Sequence, residues 1–293
     1  MHSPELDNLW ATLRHQAQQT AHQESVLARY MGLFVLEQSS LGRSLSAVLA
    51  AKLTAAGVDE GELADVFLQT LAVSPDLLQA VARDLVAASD RDPAAHGVAN
   101  VFLHHKGFQA LQAYRLAHAL WLGQRRCLSL FLQSRVSEVF AVDIHPAARI
   151  GSGVFIDHGT GVVVGETAVV EDDVSLLQEV TLGGTGKESG DRHPKVGKGV
   201  LVCAGAKVLG NIRIGEGSKI GAGSVVLSDV APHTTVVGVP ARPVGTPRVD
   251  SPALMMDQRI EGDRAWAEDG QRPLAGTQSA TAEPAVPLSE AEC

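Results

Sequence analysis

The chain is poor in three things, and each shortage narrows what it can be. Among 293 residues there are three cysteines, Cys127, Cys203 and Cys293. They are far apart and show no metal or disulfide spacing, which suits a reducing cytoplasm. Basic residues are outnumbered, 24 Lys and Arg against 33 Asp and Glu, for a formal charge of −9. A nucleic-acid partner needs a cationic face, and no Lys/Arg cluster supplies one, so that class is excluded. Long apolar runs are missing too. Met1 to Asp7 has no basic region leading into an apolar core, and no uninterrupted apolar stretch approaches about 18 residues, so neither a secretory signal nor a membrane span is expected. What is present is 45% hydrophobic residues in a chain long enough for two domains or for one with an extension. That implies a buried core and, by default, a cytoplasmic protein.

From about Leu6 to Phe140 the composition favours helices, since Ala, Leu, Gln, Arg and Glu dominate and β-branched runs are sparse. Six to eight helices are expected, with breaks near Gly57-Val58-Asp59, Ser74-Pro75-Asp76 and Asp90-Arg91-Asp92-Pro93. Ser74 before Pro75 reads as an N-cap followed by proline in the first turn. Phe108, Leu111, Leu116 and Leu120 suggest a helix with one buried face.

Beyond Phe140 the period changes. An aliphatic or small residue returns every sixth position at Ile144, Ile150, Ile156, Val162, Ala168, Val174 and Val180, then at Val196, Val202, Val208, Ile214, Ile220 and Val226. Six fits neither a helix nor a simple strand, but three sixes close an 18-residue coil of three short strands, so the pattern reads as a β-helix. Glycine follows the aliphatic residue at Gly151, Gly197, Gly215 and Gly221, where a tight corner is expected. Val180 and Val196 are sixteen residues apart, so the runs are out of phase and the Gly-rich, charged stretch Gly183 to Lys195 is extruded as a loop. Three segments follow: a helical domain over 1–141, a β-helix over 142–245 carrying the loop 183–195, and a flexible tail over 246–293, poor in residues to bury.

The chemistry-bearing residues cluster in that β-helix: Asp143-Ile144-His145-Pro146, Asp157-His158-Gly159-Thr160-Gly161, Gly165-Glu166-Thr167, Thr181-Leu182-Gly183-Gly184-Thr185-Gly186, and Gly190-Asp191-Arg192-His193-Pro194-Lys195. Together with Lys106-Gly107-Phe108 and Leu111-Gln112-Ala113-Tyr114-Arg115, they resemble the serine O-acetyltransferases of the hexapeptide-repeat acyltransferase superfamily over roughly Asp92 to Gly245. The resemblance implies an α + β chain, all-α at the N-terminus and then a left-handed parallel β-helix. It implies acetyl transfer from acetyl-CoA to the hydroxyl of L-serine, in a ternary complex and with no metal.

By the same resemblance His158 is the general base, because a serine hydroxyl is a poor nucleophile without one. Asp143 would orient it. Asp143 lies fifteen residues before His158, three short of a full coil, so both can sit at one edge of the prism. Arg192 and His193 match the pair that binds the substrate carboxylate, and Asp92 and Asp157 the acids that receive its ammonium group. Asp92, before Pro93, also reads as an ordinary helix cap. Gly184, Thr185, Ala204 and Lys219 are the candidates for CoA. Glu166, Asp172 and Gln178 stand where other hexads place small residues, which suggests either a role for Glu166 or a distorted coil. Cys203 has no neighbouring histidine to activate it and reads as packing. His105 and the other helical-half histidines read as structural.

Two relatives of the same architecture differ in chemistry. An O-acetyltransferase for another hydroxyl acceptor would keep His158 but not the acidic and Arg-His residues. A carbonic anhydrase of this fold needs a second metal-binding histidine where this chain has Val163. The resemblance further implies a homotrimer or a dimer of trimers, feedback by L-cysteine, and a complex with cysteine synthase through a terminal Ile. This chain ends in Cys293, which departs from that last pattern.

Overall fold

The computed structural model describes residues 4–187 and 189–260. Among the described residues eight α-helical segments precede the first strand: α1 Pro4–Gln23, α2 Ala28–Met31, α3 Leu41–Leu53, α4 Glu60–Val73, α5 Pro75–Arg91, α6 Val98–His104, α7 Lys106–Leu122 and α8 Arg126–Phe140. All three expected breaks fall between helices. Asp59 caps α4 by accepting from the Glu62 amide at 3.0 Å. Ser74 stands at the N-cap of α5 with Pro75 behind it, though its hydroxyl makes no capping bond. Among the described residues no helix is long and apolar enough to cross a membrane.

One helix departs from its sequence pattern. α7 is buried all round from Gly107 to Ala117, including Gln109, Gln112 and Arg115, rather than along one face. It is the axle of the helical region, packed by α4, α5, α6 and α8 on some sides and by the first coil on another.

The β-helix begins at β1 Val142–Ile144 and continues through β2 Arg149–Ile150, β3 Phe155–Ile156, β4 Val162–Val164, β5 Val169–Val170, β6 Ser175–Leu176 and β7 Thr181–Gly183. After the loop come β8 Lys195–Val196, β9 Leu201–Val202, β10 Lys207–Leu209, β11 Arg213–Ile214, β12 Lys219–Ile220 and β13 Val225–Val226. Three parallel sheets result, a first face β1-β4-β7-β10-β13, a second face β2-β5-β8-β11, and a third containing β3-β6-β9-β12. They form a left-handed solenoid of about 5 turns. β14 Thr235–Gly238 extends the third face, and β15 Ala241–Gly245 closes it as an antiparallel edge.

The register corrects the phase of the repeat. Ile144 pairs with Val164, Ile150 with Val170 and Ile156 with Leu176, each 20 residues on. Later coils are regular: Val164 meets Leu182, and Val208 meets Val226, at 18. The first coil therefore carries two extra residues, inserted between β3 and β4 at Asp157 to Gly161. Val162, Ala168, Val174 and Val180 are buried, but they form the second inward ladder, two places before the strand-centre positions Val164, Val170, Leu176 and Leu182. Each hexad has two inward positions, both apolar or small, so a two-residue slip leaves the pattern intact. Glu166, Asp172 and Gln178 thereby become ordinary corner positions, and no distortion is needed for them. The stacks Ile144–Val164–Leu182–Val208–Val226 and Ile156–Leu176–Val202–Ile220 run through the prism, each side chain contributing about 1.5–3 kcal/mol by burial.

Polar clamps fix the helices to the first coil. Asp84 on α5 is fully buried, and all its lone pairs are used: Oδ2 accepts from Arg115 Nε at 2.7 Å and Gln112 Nε2 at 3.1 Å, and Oδ1 from Arg115 Nη2 and the Val154 amide, both at 3.0 Å. Arg115 also donates to the carbonyls of Ile150 and Gly151, and Tyr114 to that of Ala148. Arg91 reaches the Ser175 hydroxyl at 3.1 Å. A buried charge held this completely fixes geometry rather than adding much net stability.

The segment after β15 is not free throughout. α9 Pro252–Met255 packs on α5 and β9, and Ala253 joins Leu177, Leu201 and Cys203 in a small apolar cluster. The tail expected from 246 thus holds one docked turn, and its remainder from residue 261 lies outside the described residues.

Candidate active site

The two irregularities of the β-helix flank its first face, and the candidate residues divide between them. The two-residue insertion makes the corner from β3 to β4, and here the backbone of His158 takes φ +57° between Asp157 and Gly159 at φ +78°. A left-handed non-glycine residue costs about 1–2 kcal/mol, and the corner is held by several bonds. The Gly161 amide donates to Ala141 O at 2.7 Å, and the Glu179 amide to Thr160 O at 2.7 Å. The conformation turns the His158 ring into solvent, with its side chain 71% exposed.

His158 Nε2 lies 3.8 Å from Asp157 Oδ1. Asp157 is half-buried, and burial raises its pKa, opposed by His158 and reinforced by the Asp92 charge. Asp92 follows α5. Its Oδ1 accepts from the Ala94 amide at 2.8 Å, so the capping role is real, but it closes a turn after a helix rather than starting one. Its Oδ2 faces His105 Nδ1 at 3.6 Å, and His105 Nε2 lies 2.9 Å from Asn100 Oδ1. This corner is therefore an acidic notch, two carboxylates with an imidazole on either side.

Arg192 and His193 belong to the other corner, where the loop after β7 returns to β8. Thr167 organises them: its hydroxyl accepts from the Arg192 amide at 3.0 Å and the His193 amide at 3.2 Å, and donates to His193 Nδ1 at 2.9 Å. The Thr167 amide also points at Nδ1, at 3.2 Å. With Nδ1 taken as acceptor, the ring proton sits on Nε2. Burial first, then the Arg192 charge, depresses the His193 pKa, so the ring is a neutral donor. Arg192 Nη2 bonds Glu166 Oε2 at 2.8 Å, and this bond is the main reason the Glu166 pKa is lowered. A Cβ on Gly165 would fall 2.0 Å from the His193 ring, which explains the glycine there.

Asp143 is bonded elsewhere than to His158. It lies on β1, within the first face, and its Oδ1 accepts from Gln133 Nε2 of α8 at 2.7 Å. Its charge acts on His145, as do those of Glu166 and Arg192, so it belongs electrostatically with the second corner. Among the described residues no hydrogen bond or ion pair joins Asp143 to His158 within one chain. The expected common edge rested on an 18-residue coil, and the first coil has 20.

The candidates for CoA are likewise scattered. Gly184 and Thr185 open the loop and are half-buried and exposed, Ala204 occupies a third-to-first-face corner further along, and Lys219 lies on the third face. Lys219 does not wait for a phosphate here: its side chain is buried, and Nζ donates to the carbonyls of Asp257 and Arg259, at 3.2 Å and 2.5 Å. Burial pushes the Cys203 thiol up to about 12, consistent with a packing role.

Sequence reasoning gave no site role to His105, Thr167 or Gln133. Thr167 stood within a motif but without a role, and His105 and Gln133 have no local signal, since each acquires its role from what the fold brings beside it.

The family described as "Serine acetyltransferase, N-terminal" matches residues 9–113, and that described as "Bacterial transferase hexapeptide (six repeats)" matches residues 193–228. A serine acetyltransferase of Salmonella typhimurium is 51% identical over 258 residues, 88% of this chain and 94% of the relative. A soybean serine acetyltransferase solved with serine has a TM-score of 0.81 at 54% identity, covering 83% of this chain and 100% of that one. One from Brucella abortus, solved with coenzyme A, has 0.81 at 48%, covering 83% and 97%. Another, solved in complex with cysteine, has 0.85 at 46%, covering 87% and 99%. With half its residues shared across nearly the whole length of such relatives, the chain belongs to the serine acetyltransferases, acyltransferases of the hexapeptide-repeat superfamily.

Proposed function

We propose that the protein transfers acetyl from acetyl-CoA to the hydroxyl of L-serine, at a site assembled between copies of the chain in a trimer, alone or paired as a dimer of trimers. The observation that carries this is the division of the site. The base and the acidic notch lie at one end of the first face, and the Arg192–His193 pair lies at the other. An amino acid carries an ammonium and a carboxylate a few ångströms apart, so it needs both kinds of corner at once. Packing the notch of one prism against the loop corner of the next supplies them, as a closed cyclic oligomer allows.

In that arrangement Asp92 and Asp157 receive the ammonium group, whose charge offsets the burial that raises the Asp157 pKa. Arg192 exchanges Glu166 for the substrate carboxylate, presenting its planar fork, while His193 donates from Nε2. His158 takes the hydroxyl proton as the serine oxygen attacks the thioester carbonyl, and the proton leaves with the CoA thiol. No acyl-enzyme forms. Asp143, held by Gln133, supports the imidazolium across the junction between copies, and Asp157 does so from within the chain. Gly184, Thr185 and Ala204 line the groove for pantetheine, and a built Cβ on Gly184 meets only ordinary contacts from 3.6 Å outward. Lys219 can reach a phosphate only if residues 257–259 move off it.

Cysteine differs from serine by one atom, so it fits the same notch and inhibits by competition with serine. The reaction is placed in the cytoplasm, as part of cysteine biosynthesis.

Thiol release from acetyl-CoA, measured with L-serine and with a panel of sugar and amino-alcohol acceptors, tests the substrate. L-serine should exceed every other acceptor, and inhibition by L-cysteine should be relieved by added serine. A sugar hydroxyl preferred over serine would replace this reading with the other acceptor class.

A further inference from the structure

The junction between α6 and α7 starts a helix badly. α7 has no acidic residue in its first turn, no side-chain cap at His105, and a lysine at its first position. A cation there opposes the helix dipole, and an uncapped start leaves amides without partners. All three junction residues are instead turned toward the base corner. The His105 ring lies between Asn100 and Asp92. Lys106 Nζ donates to the Thr160 hydroxyl, two residues past His158. Gly107 sits so close to the corner that a Cβ on it would fall 2.1 Å from the Ile156 carbonyl oxygen, and a Cβ on Gly159 would fall 3.2 Å from Gly107 Cα.

The corner needs such support. It lies outside the regular hexad, so its side chains do not stack in the inward ladders, and His158, Gly159 and Gly161 all have positive φ. Its backbone bonds to Ala141 and Glu179 tie down Gly161 and Thr160, on the β4 side of His158. On the β3 side the corner meets α7 through Gly107.

From these contacts we infer that the α6–α7 junction positions the base, with Lys106 acting on His158 through Thr160 and Gly107 setting the height of the corner. Lys106 is a positioning residue and touches no substrate. A local rule broken at this junction, where Lys106 and Gly107 meet the His158 corner and His105 faces Asp92 beside it, is the mark of a site feature rather than of the helix. The inference rests on His158 being the base of the proposed reaction.

The test is a double-mutant cycle on the full-length oligomer. Lys106→Met keeps the stem and removes the donor, Thr160→Val keeps the shape and removes the acceptor, and Lys106→Arg restores a donor. Misplacement of a reacting group costs up to about a hundredfold, so each of the first two should lower kcat about tenfold. The acetyl-CoA KM and the Tm should stay near wild type, and the double variant should be no worse than either single one. Lys106→Arg should recover most of the rate. Wild-type kcat in Lys106→Met and Thr160→Val, or losses that multiply in the double variant, would overturn the inference. Thr160 is exposed, so Thr160→Val decides the matter even if Lys106→Met folds poorly. His158→Ala, assayed in parallel, separates the two readings: if it is inactive while Lys106→Met is normal, the junction inference alone fails, and if it is active, the base assignment fails.

Discussion

The regular coils and the two irregular corners of this β-helix divide the work between them. From β4 to β7 and from β8 to β13 the strands repeat every 18 residues, with Val, Ile and Leu stacked in register, and no candidate catalytic side chain other than Asp143 projects from a strand of the first face. The departures are two extra residues before β4 and the long loop before β8, and they carry Asp157, His158, Arg192 and His193. In an unbroken hexad every corner is shaped by its neighbours above and below. Extra residues escape that constraint and can adopt conformations such as the left-handed His158, so chemistry can be placed there without unsettling the stack.

If that division holds, changes at the corners should alter rate with little effect on stability, and changes in the stack should do the reverse. The largest effect is expected from His158→Ala: kcat should fall about a hundred- to ten-thousand-fold, the range of a lost general base, with Tm unchanged because the ring is exposed. Next comes Arg192→Ala, which should raise the serine KM about tenfold to a hundredfold, since a hydrogen bond to a charged group contributes about 1.5–3 kcal/mol, while the acetyl-CoA KM holds. Leu176→Ala is the converse case. At a fully buried stack position it should cost about 2–5 kcal/mol of stability and leave kcat per folded oligomer intact; a lost rate there would blur the comparison. The smallest effect is electrostatic. The folded-state pKa of His193 is depressed below its ordinary 6.5 by burial, so at pH below 6.5 the unfolded chain binds the extra proton first and stability declines as pH falls through that window. His193→Gln should flatten that part of the Tm-against-pH curve.

How much of this was visible beforehand depended on whether the signal was periodic. The hexads announced the β-helix, because stacking demands an apolar residue at fixed intervals whatever else the chain does. The loop was visible because sixteen is not a multiple of six. The slip of two residues was not, because Val162 and Val164 are both buried and either satisfies the pattern. That hidden slip is also why Asp143 seemed to share an edge with His158: counted on an 18-residue coil they are neighbours, and on the real one Asp143 falls beside Gln133. His105 and Lys106 could not be read as site residues, since nothing in a helical sequence says which coil corner its junction will meet. The burial of Lys219, a candidate for CoA, has no local signal, because the carbonyls of Asp257 and Arg259 that cover it come from some forty residues further along, at separations of 38 and 40.

The central claim is that the two corners make one site only when they come from different copies. Mixing His158→Ala with Arg192→Ala, after dissociation and reassembly, tests this directly by thiol release from acetyl-CoA with L-serine held below its wild-type KM, where the raised KM of Arg192→Ala leaves that parent nearly inactive. In randomly mixed trimers about a quarter of the junctions pair an intact notch with an intact loop corner, so activity should return to about a quarter of wild type from two preparations that are each nearly inactive. Mixed trimers confirmed by mass that stay as inactive as their parents would contradict the account and return the site to a single chain.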